Sequence, residues 1–250
     1  KDIQAYLGFL SNPNYSAPSS NMGHSGHNTL NDPAKASTQS LLDNNSFLSE
    51  IDKFDHNYFD LPPKEAQLMD PAHRLFLQGA CQAIQDAGHS ASLRGTRTGL
   101  YLGMTTNYAY SQMLNQTDPG SVSQSALGNL ASIAASRISY LLDLRGPNLL
   151  IDTSCSSGLV ALHTACRAIQ KGECDQALAG GLKLILLPLK ENHQIGLESS
   201  DGYTRSFDDS SGGTSWGEGV ASIFLKPLDQ AIEDKDNIYA VIKGSAVNQD

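Results

Sequence analysis

The 250-residue sequence predicts a layered α/β fold. Two observations carry this. Amphipathic helical stretches and short apolar strands alternate along the chain, and helix-start and helix-stop residues fall at their junctions. Hydrophobic residues make up 40% and charged residues 17%, enough to bury a sizeable core and too apolar for a mainly disordered chain.

The elements follow in order. Asp70-Pro71 opens a helix, with an N-cap residue followed by proline at the first position. Leu75, Cys81, Ile84 and Ala87 continue its apolar face, and Gly88 ends it. Thr98 to Gly103 reads as a buried strand, Leu127 to Leu142 as a helix, and Asn148 to Asp152 as a short strand after the Gly146-Pro147 break. A further helix starts near Ser154, with Leu159, Leu162, Cys166 and Ile169 on one face and Gly172 as its stop. Strands are expected at Gln176 to Leu187, Val220 to Leu225 and Ile238 to Gly244. Residues 1–46 stand apart: from Ser11 to Ser40 the chain is dense in Ser, Asn, Pro and Gly and reads as a long irregular loop.

Composition excludes several functions. With 17 Lys and Arg against 26 Asp and Glu, the net charge of −9 argues against nucleic acid as a partner. No apolar run approaches the ~18 residues of a membrane span, and Lys1-Asp2-Ile3-Gln4 is not a signal peptide. The four cysteines lack the spacing of a zinc site or disulfide framework, so the expected setting is reducing and cytoplasmic.

The stretch Asp152-Thr153-Ser154-Cys155-Ser156-Ser157-Gly158 joins a strand to a helix. A cysteine there sits at the positive end of a helix dipole, which favours the thiolate. Unpaired N–H groups of the first turn can hold an oxyanion. The tight turn lifts the side chain clear of the sheet, and Ser156, Ser157 and Gly158 leave room for a substrate. Cys155 is therefore the candidate nucleophile. His163 lies about 12 Å further along the same helix and about 80° round it, so it reads as a packing residue. Cys166, about 16 Å from Cys155, is too far for a disulfide. His24 and His27 resemble half a metal site without a second pair, and His56, His73, His89 and His193 carry no catalytic signal. The Gly-rich run Ser210 to Gly219 lacks the Walker ending and the dinucleotide fingerprint, and reads as a turn before a strand.

Asp152-Thr153-Ser154-Cys155-Ser156-Ser157 resembles the active-site cysteine motif of β-ketoacyl synthases, specifically the ketosynthase domains of modular bacterial polyketide synthases. The resemblance spans residues 47–250. It includes Ile51-Asp52-Lys53-Phe54-Asp55, Met69-Asp70-Pro71-Ala72-His73-Arg74-Leu75, Leu93-Arg94-Gly95-Thr96-Arg97-Thr98-Gly99 and Ala135-Ser136-Arg137-Ile138-Ser139-Tyr140. Later segments are Gly172-Glu173-Cys174-Asp175, Ala179-Gly180-Gly181, Arg205-Ser206-Phe207-Asp208, Gly217-Glu218-Gly219 and Gly244-Ser245-Ala246-Val247-Asn248. Glu198-Ser199-Ser200-Asp201-Gly202 is similar to ketosynthases served by a separate acyltransferase.

The resemblance implies a thiolase-like fold of two related α/β halves in five layers, α-β-α-β-α, and a homodimer. It implies that Cys155 takes an acyl chain from an acyl carrier protein and that the acyl-enzyme condenses with a malonyl-type extender with loss of CO2. The backbone N–H of Cys155 would be one oxyanion donor. No metal or cofactor is bound directly; the phosphopantetheine arm of the carrier protein delivers the substrate. Other modules of a polyketide synthase are the further partners, and an acidic carrier protein calls for a local Lys/Arg patch. The family places two catalytic histidines in its C-terminal half, beyond Asp250, and its opening strand motif is missing here. Residues 47–250 thus read as the N-terminal half of a ketosynthase, and residues 1–46 as a divergent segment. Alone, that half is expected neither to condense nor to fold. The alternatives are a non-elongating ketosynthase that only passes acyl chains on, and a non-catalytic docking module.

Overall fold

In the computed structural model the described residues are the backbone of 3–9, and residues 47–186 and 196–249. Among them, 3–9, 50–186 and 220–249 form one compact unit, and 47–49 with 196–219 belong to a second.

The first unit is built on one six-stranded sheet. In chain order its elements are β1 (Ile3–Phe9), α1 (Pro63–Leu68), α2 (Pro71–Asp86), β2 (Thr98–Gly103), α3 (Ala109–Thr117), α4 (Val122–Ala126), α5 (Ala131–Leu141), β3 (Asn148–Ile151), α6 (Ser157–Lys171), β4 (Gln176–Lys183), β5 (Gly219–Pro227), α7 (Leu228–Glu233) and β6 (Ala240–Ile242). The strand order is β3-β2-β4-β5-β1-β6. β2 runs parallel to both β3 and β4, while β1 is antiparallel to β5 and β6. All six residues of β2 are buried, as a parallel strand covered on both faces requires.

Strand alternation sorts the core. Tyr101 of β2, Ala177 and Ala179 of β4 and Leu225 of β5 pack with Ala161, Ala165, Cys166, Ala168 and Ile169 of α6. Leu100, Leu102, Leu178 and Phe224 are equally buried at the alternate positions. There Gly180 lies so close to Phe76 of α2 that a Cβ on it would be 2.9 Å from the ring. The sheet thus carries α6 on one face and α2 on the other.

The helix ends follow the residues that predict them. The Asp70 carboxylate accepts from the Ala72 N–H at 2.8 Å, Pro71 takes the first position, and Gly88 (φ 76°) follows the last turn. The α6 helix ends on Gly172 with φ 73°, the left-handed stop. The Leu93–Gly99 segment serves two helix C-termini: Arg94 donates to the Leu141 carbonyl (3.1 Å), and Arg97 to the Gly172 and Glu173 carbonyls (2.8 and 3.3 Å). Cationic guanidinium groups are favoured at the negative ends of these helices.

Four expectations change. A strand that the sequence did not signal is present: β1 (Ile3–Phe9) lies between β5 and β6 in the sheet. The helix expected over Leu127 to Leu142 begins only at Ala131, because Leu130 is extended (ψ 137°). Leu159 is 75% exposed, because α6 approaches the sheet on alanines and leaves its larger residue outside. Finally, β4 stops at Lys183 and β6 covers only Ala240–Ile242, while Leu187 lies outside the described residues.

Within the second unit, Glu198 and Thr214 form a parallel bridge. Gly213 (φ 132°) crosses so near the Glu198 carbonyl carbon that a Cβ would lie 2.6 Å from it. Glycine is required at that one point of the Gly-rich run. Arg205 holds Asp201 through paired bonds of 3.2 and 2.7 Å, which keeps the Asp201 carboxyl well below the usual carboxylate range.

Candidate active site

Cys155 sits between the end of β3 and the start of α6, in a single 3-10 turn over Ser154–Ser156. It is the exposed member of the four free cysteines; Cys81, Cys166 and Cys174 are buried. Burial pushes the Cys81 and Cys166 thiols up to about 11 and raises Cys174 as well, so those three are poor nucleophiles at neutral pH.

Close backbone packing sets the turn on the sheet. A Cβ on Gly103, the last residue of β2, would lie 2.5 Å from the Ser157 carbonyl carbon. One on Gly181 of β4 would lie 3.2 Å from the Gly158 Cα. Glycines on two neighbouring strands thus let the first turn of α6 rest directly on the strand ends. The chain then turns sharply: Ser154 adopts φ 58°, in the left-handed region that a non-glycine residue enters at a cost of about 1–2 kcal/mol.

Side chains hold this turn. The Asp152 carboxylate accepts from the Ser154 N–H at 3.1 Å and from the Thr105 hydroxyl at 3.2 Å. Ser157 Oγ accepts from the Thr153 N–H at 2.9 Å and donates to the Ser154 carbonyl at 2.7 Å. Ser156 Oγ lies 2.8 Å from the Thr153 carbonyl oxygen. The Cys155 Sγ itself contacts the Ser154 hydroxyl at 3.9 Å. Among the described hydrogen bonds, none engages the Cys155 N–H.

The other sequence candidates are elsewhere. His163 Nδ1 meets Ser245 Oγ at 2.9 Å, a packing contact as expected. His56 Nδ1 meets the Leu61 carbonyl, and His89 lies 3.2 Å from Asp236. His73 is buried to 1% exposure with no hydrogen-bond partner on either ring nitrogen. His24, His27 and His193 lie outside the described residues. Among the described residues no group of three His, Cys, Asp or Glu could hold a metal ion, and no helix is long and apolar enough to cross a membrane.

Sequence reasoning missed Asp152, Thr105 and Ser157 as holders of the turn. An Asp two residues before a strained Ser was a legible signal for a carboxylate-to-amide bond. Thr105 was not legible, because it comes from a different strand end.

An exposed cysteine on a strained strand-to-helix turn, backed by glycines of parallel strands, is the geometry of a nucleophile elbow. The description "Beta-ketoacyl synthase, N-terminal domain" matches residues 16–231. The chain belongs to this family. It is 41% identical over 220 residues to polyketide synthase PksN of Bacillus subtilis, covering 87% of this chain and 4% of that protein. It is 42% identical over 207 residues to 6-methylsalicylic acid synthase of Penicillium terrestre, covering 82% of this chain and 12% of that protein. Among solved structures, a ketosynthase from module 6 of the bacillaene synthase of Bacillus subtilis 168 superposes with a TM-score of 0.73 at 41% identity, covering 82% of this chain and 34% of that one. The thiolase-like α/β fold is therefore borne out. The chain spans a small fraction of the curated relatives it matches and about a third of the solved ketosynthase.

Proposed function

We propose that this chain carries the acyl-accepting half of a polyketide ketosynthase active site, with Cys155 as the nucleophile. The observation that carries this is the exposed Cys155 thiol on the elbow, beside three buried and inert cysteines. The Cys155 thiolate attacks the thioester carbonyl of an acyl chain on an acyl carrier protein. The carrier's phosphopantetheine sulfur leaves as a thiolate and takes up the proton that Cys155 released on ionising, and a Cys155 thioester remains. During the attack the Cys155 N–H faces the developing oxyanion. The acyl-enzyme then condenses with a malonyl-type extender: the carboxylate leaves as CO2, the resulting carbanion attacks the acyl carbonyl, and the Cys155 thiolate is expelled. The second step uses the two histidines of the family's C-terminal half.

The segment Glu198–Gly202 supports a ketosynthase served by a separate acyltransferase. A homodimer is supported by β3, which ends the sheet among the described residues and exposes Leu149, with Tyr140 and Leu127 exposed earlier in the chain. Other modules of a polyketide synthase are the further partners, and the cytoplasm is the proposed setting.

Intact-mass spectrometry after incubation with an acyl thioester tests the reading, beside a Cys155→Ala control and on the natural polypeptide that carries this chain. A gain of one acyl group, absent in the control, is expected. A folded protein that gains no mass refutes the nucleophile assignment and favours a docking module. Acylation without CO2 release from a malonyl thioester marks a non-elongating ketosynthase.

A further inference from the structure

The turn that presents Cys155 faces a polar-group problem. Ser154 is left-handed (φ 58°) and Thr153 is neither strand nor helix (φ −126°, ψ 37°), so neither continues the backbone ladders on its two sides. Yet both residues' N–H and carbonyl groups are engaged. The Thr153 N–H and Ser154 carbonyl go to the Ser157 hydroxyl, the Ser154 N–H goes to the Asp152 carboxylate, and the Thr153 carbonyl receives Ser156. The Ser157 side chain is buried, and the Thr105 hydroxyl, two residues past the end of β2, donates to the same Asp152 oxygen, Oδ1, that accepts the Ser154 N–H. The N–H of Cys155 is left over.

We propose that Asp152 and Ser157 are positioning residues that hold the Cys155 N–H unpaired and aimed at the thioester oxygen, by tying up the polar backbone groups on the N-terminal side of Cys155. This rests on the assignment of Cys155 as nucleophile. Asp152 acts as a hydrogen-bond acceptor braced by Thr105, so its role needs an oxygen at that place and no charge. Ser157 acts as acceptor and donor at once, which alanine cannot replace. Loss of either frees the Ser154 peptide to relax from its left-handed conformation. The Cys155 N–H then turns away from the carbonyl being attacked, while the thiol stays exposed.

The test measures two reactions of Cys155 in the natural polypeptide that carries this chain: acylation by an acyl thioester, which needs an oxyanion donor, and alkylation by iodoacetamide, which does not. Asp152→Ala and Ser157→Ala are expected to slow acylation at saturating thioester by about tenfold to a hundredfold, the range for a misaimed oxyanion donor. The half-saturating concentration and the alkylation rate stay close to wild type. Asp152→Asn, which keeps an oxygen acceptor, recovers acylation. Wild-type acylation in both alanine variants overturns the proposal, as does a parallel loss of acylation and alkylation, or an Asp152→Asn variant as slow as Asp152→Ala. If Ser157→Ala fails to fold, the two Asp152 variants decide, since that side chain is exposed. Failure of the nucleophile assignment is separately visible: wild type would then be alkylated at Cys155 yet never acylated.

Discussion

Replacing Gly103 by alanine probes how the sheet sets the nucleophile. The added Cβ would lie 2.5 Å from the Ser157 carbonyl carbon and 2.6 Å from the Gly158 nitrogen and the Ser157 oxygen. An ordinary carbon contact is about 3.5–4.0 Å, so the first turn of α6 must retreat by about 1 Å. All three atoms belong to the backbone, so no side-chain rotation relieves the clash. Overpacking of this kind costs about 1–3 kcal/mol of stability. A misplacement near 1 Å can cost about a hundredfold in rate, because the elbow moves with the turn. Two other alanine variants separate these effects. Gly146→Ala places a Cβ 2.5 Å from the Thr98 carbonyl carbon, a comparable clash at the far ends of the strands from Cys155. Gly158→Ala meets nothing nearer than the Gly181 Cα at 3.8 Å and sits in a helix that favours alanine. Denaturant unfolding and Cys155 acylation by a thioester are the assays. Gly103→Ala should lose both stability and acylation, Gly146→Ala mainly stability, and Gly158→Ala no stability. A folded Gly103→Ala protein that acylates at the wild-type rate refutes the reasoning.

His73 and Lys226 give two further predictions. Burial, helped by the positive Arg137, lowers His73 from its ordinary 6.5 to about 4. Its folded value lies below its unfolded one, so its neutral form contributes stability in full above pH 6.5 and loses it as the pH falls towards 4. The drop from 6.5 to about 4 corresponds to about 3 kcal/mol. The stability difference between wild type and His73→Gln, followed by urea unfolding, should therefore shift by that amount against wild type between pH 7 and pH 4; a constant difference contradicts it. Lys226 is 4% exposed and pairs with Asp234 and with Asp236 at 2.7 Å. Lys226→Met leaves the half-buried Asp236 with only His89 beside it, and the expected loss is about 2–3 kcal/mol, below the full cost of breaking a buried pair because Asp234 is partly solvated. A melting temperature equal to wild type would rule this out.

Much of the fold was legible in the sequence because its signals are local. Asp70-Pro71 and Gly172 specify helix ends through dihedral angles and caps, and TGLYLG over residues 98–103 specifies a buried strand through its apolar run. Cys155 was legible for the same reason: the strand, the small residues and the helix that follow are contiguous. The misreadings were non-local. Leu159 looks like core by periodicity, yet the close approach of α6 to Gly103 and Gly181 selects alanines for the buried face and turns Leu159 outward. The strand β1 was missed because pairing with β5 and β6 depends on residues more than 200 positions away along the chain.

The sequence by itself determined the helix termini, the strand-to-helix turn at Cys155 and the family motifs, since each depends on residues within a few positions of one another. The tertiary structure alone decided that Cys174 is buried against Tyr101. It also decided that Thr105 reaches Asp152 and that Gly103 and Gly181 bring α6 onto the strand ends. These are distances between residues far apart in the chain, and they are set by which strands become neighbours in the sheet.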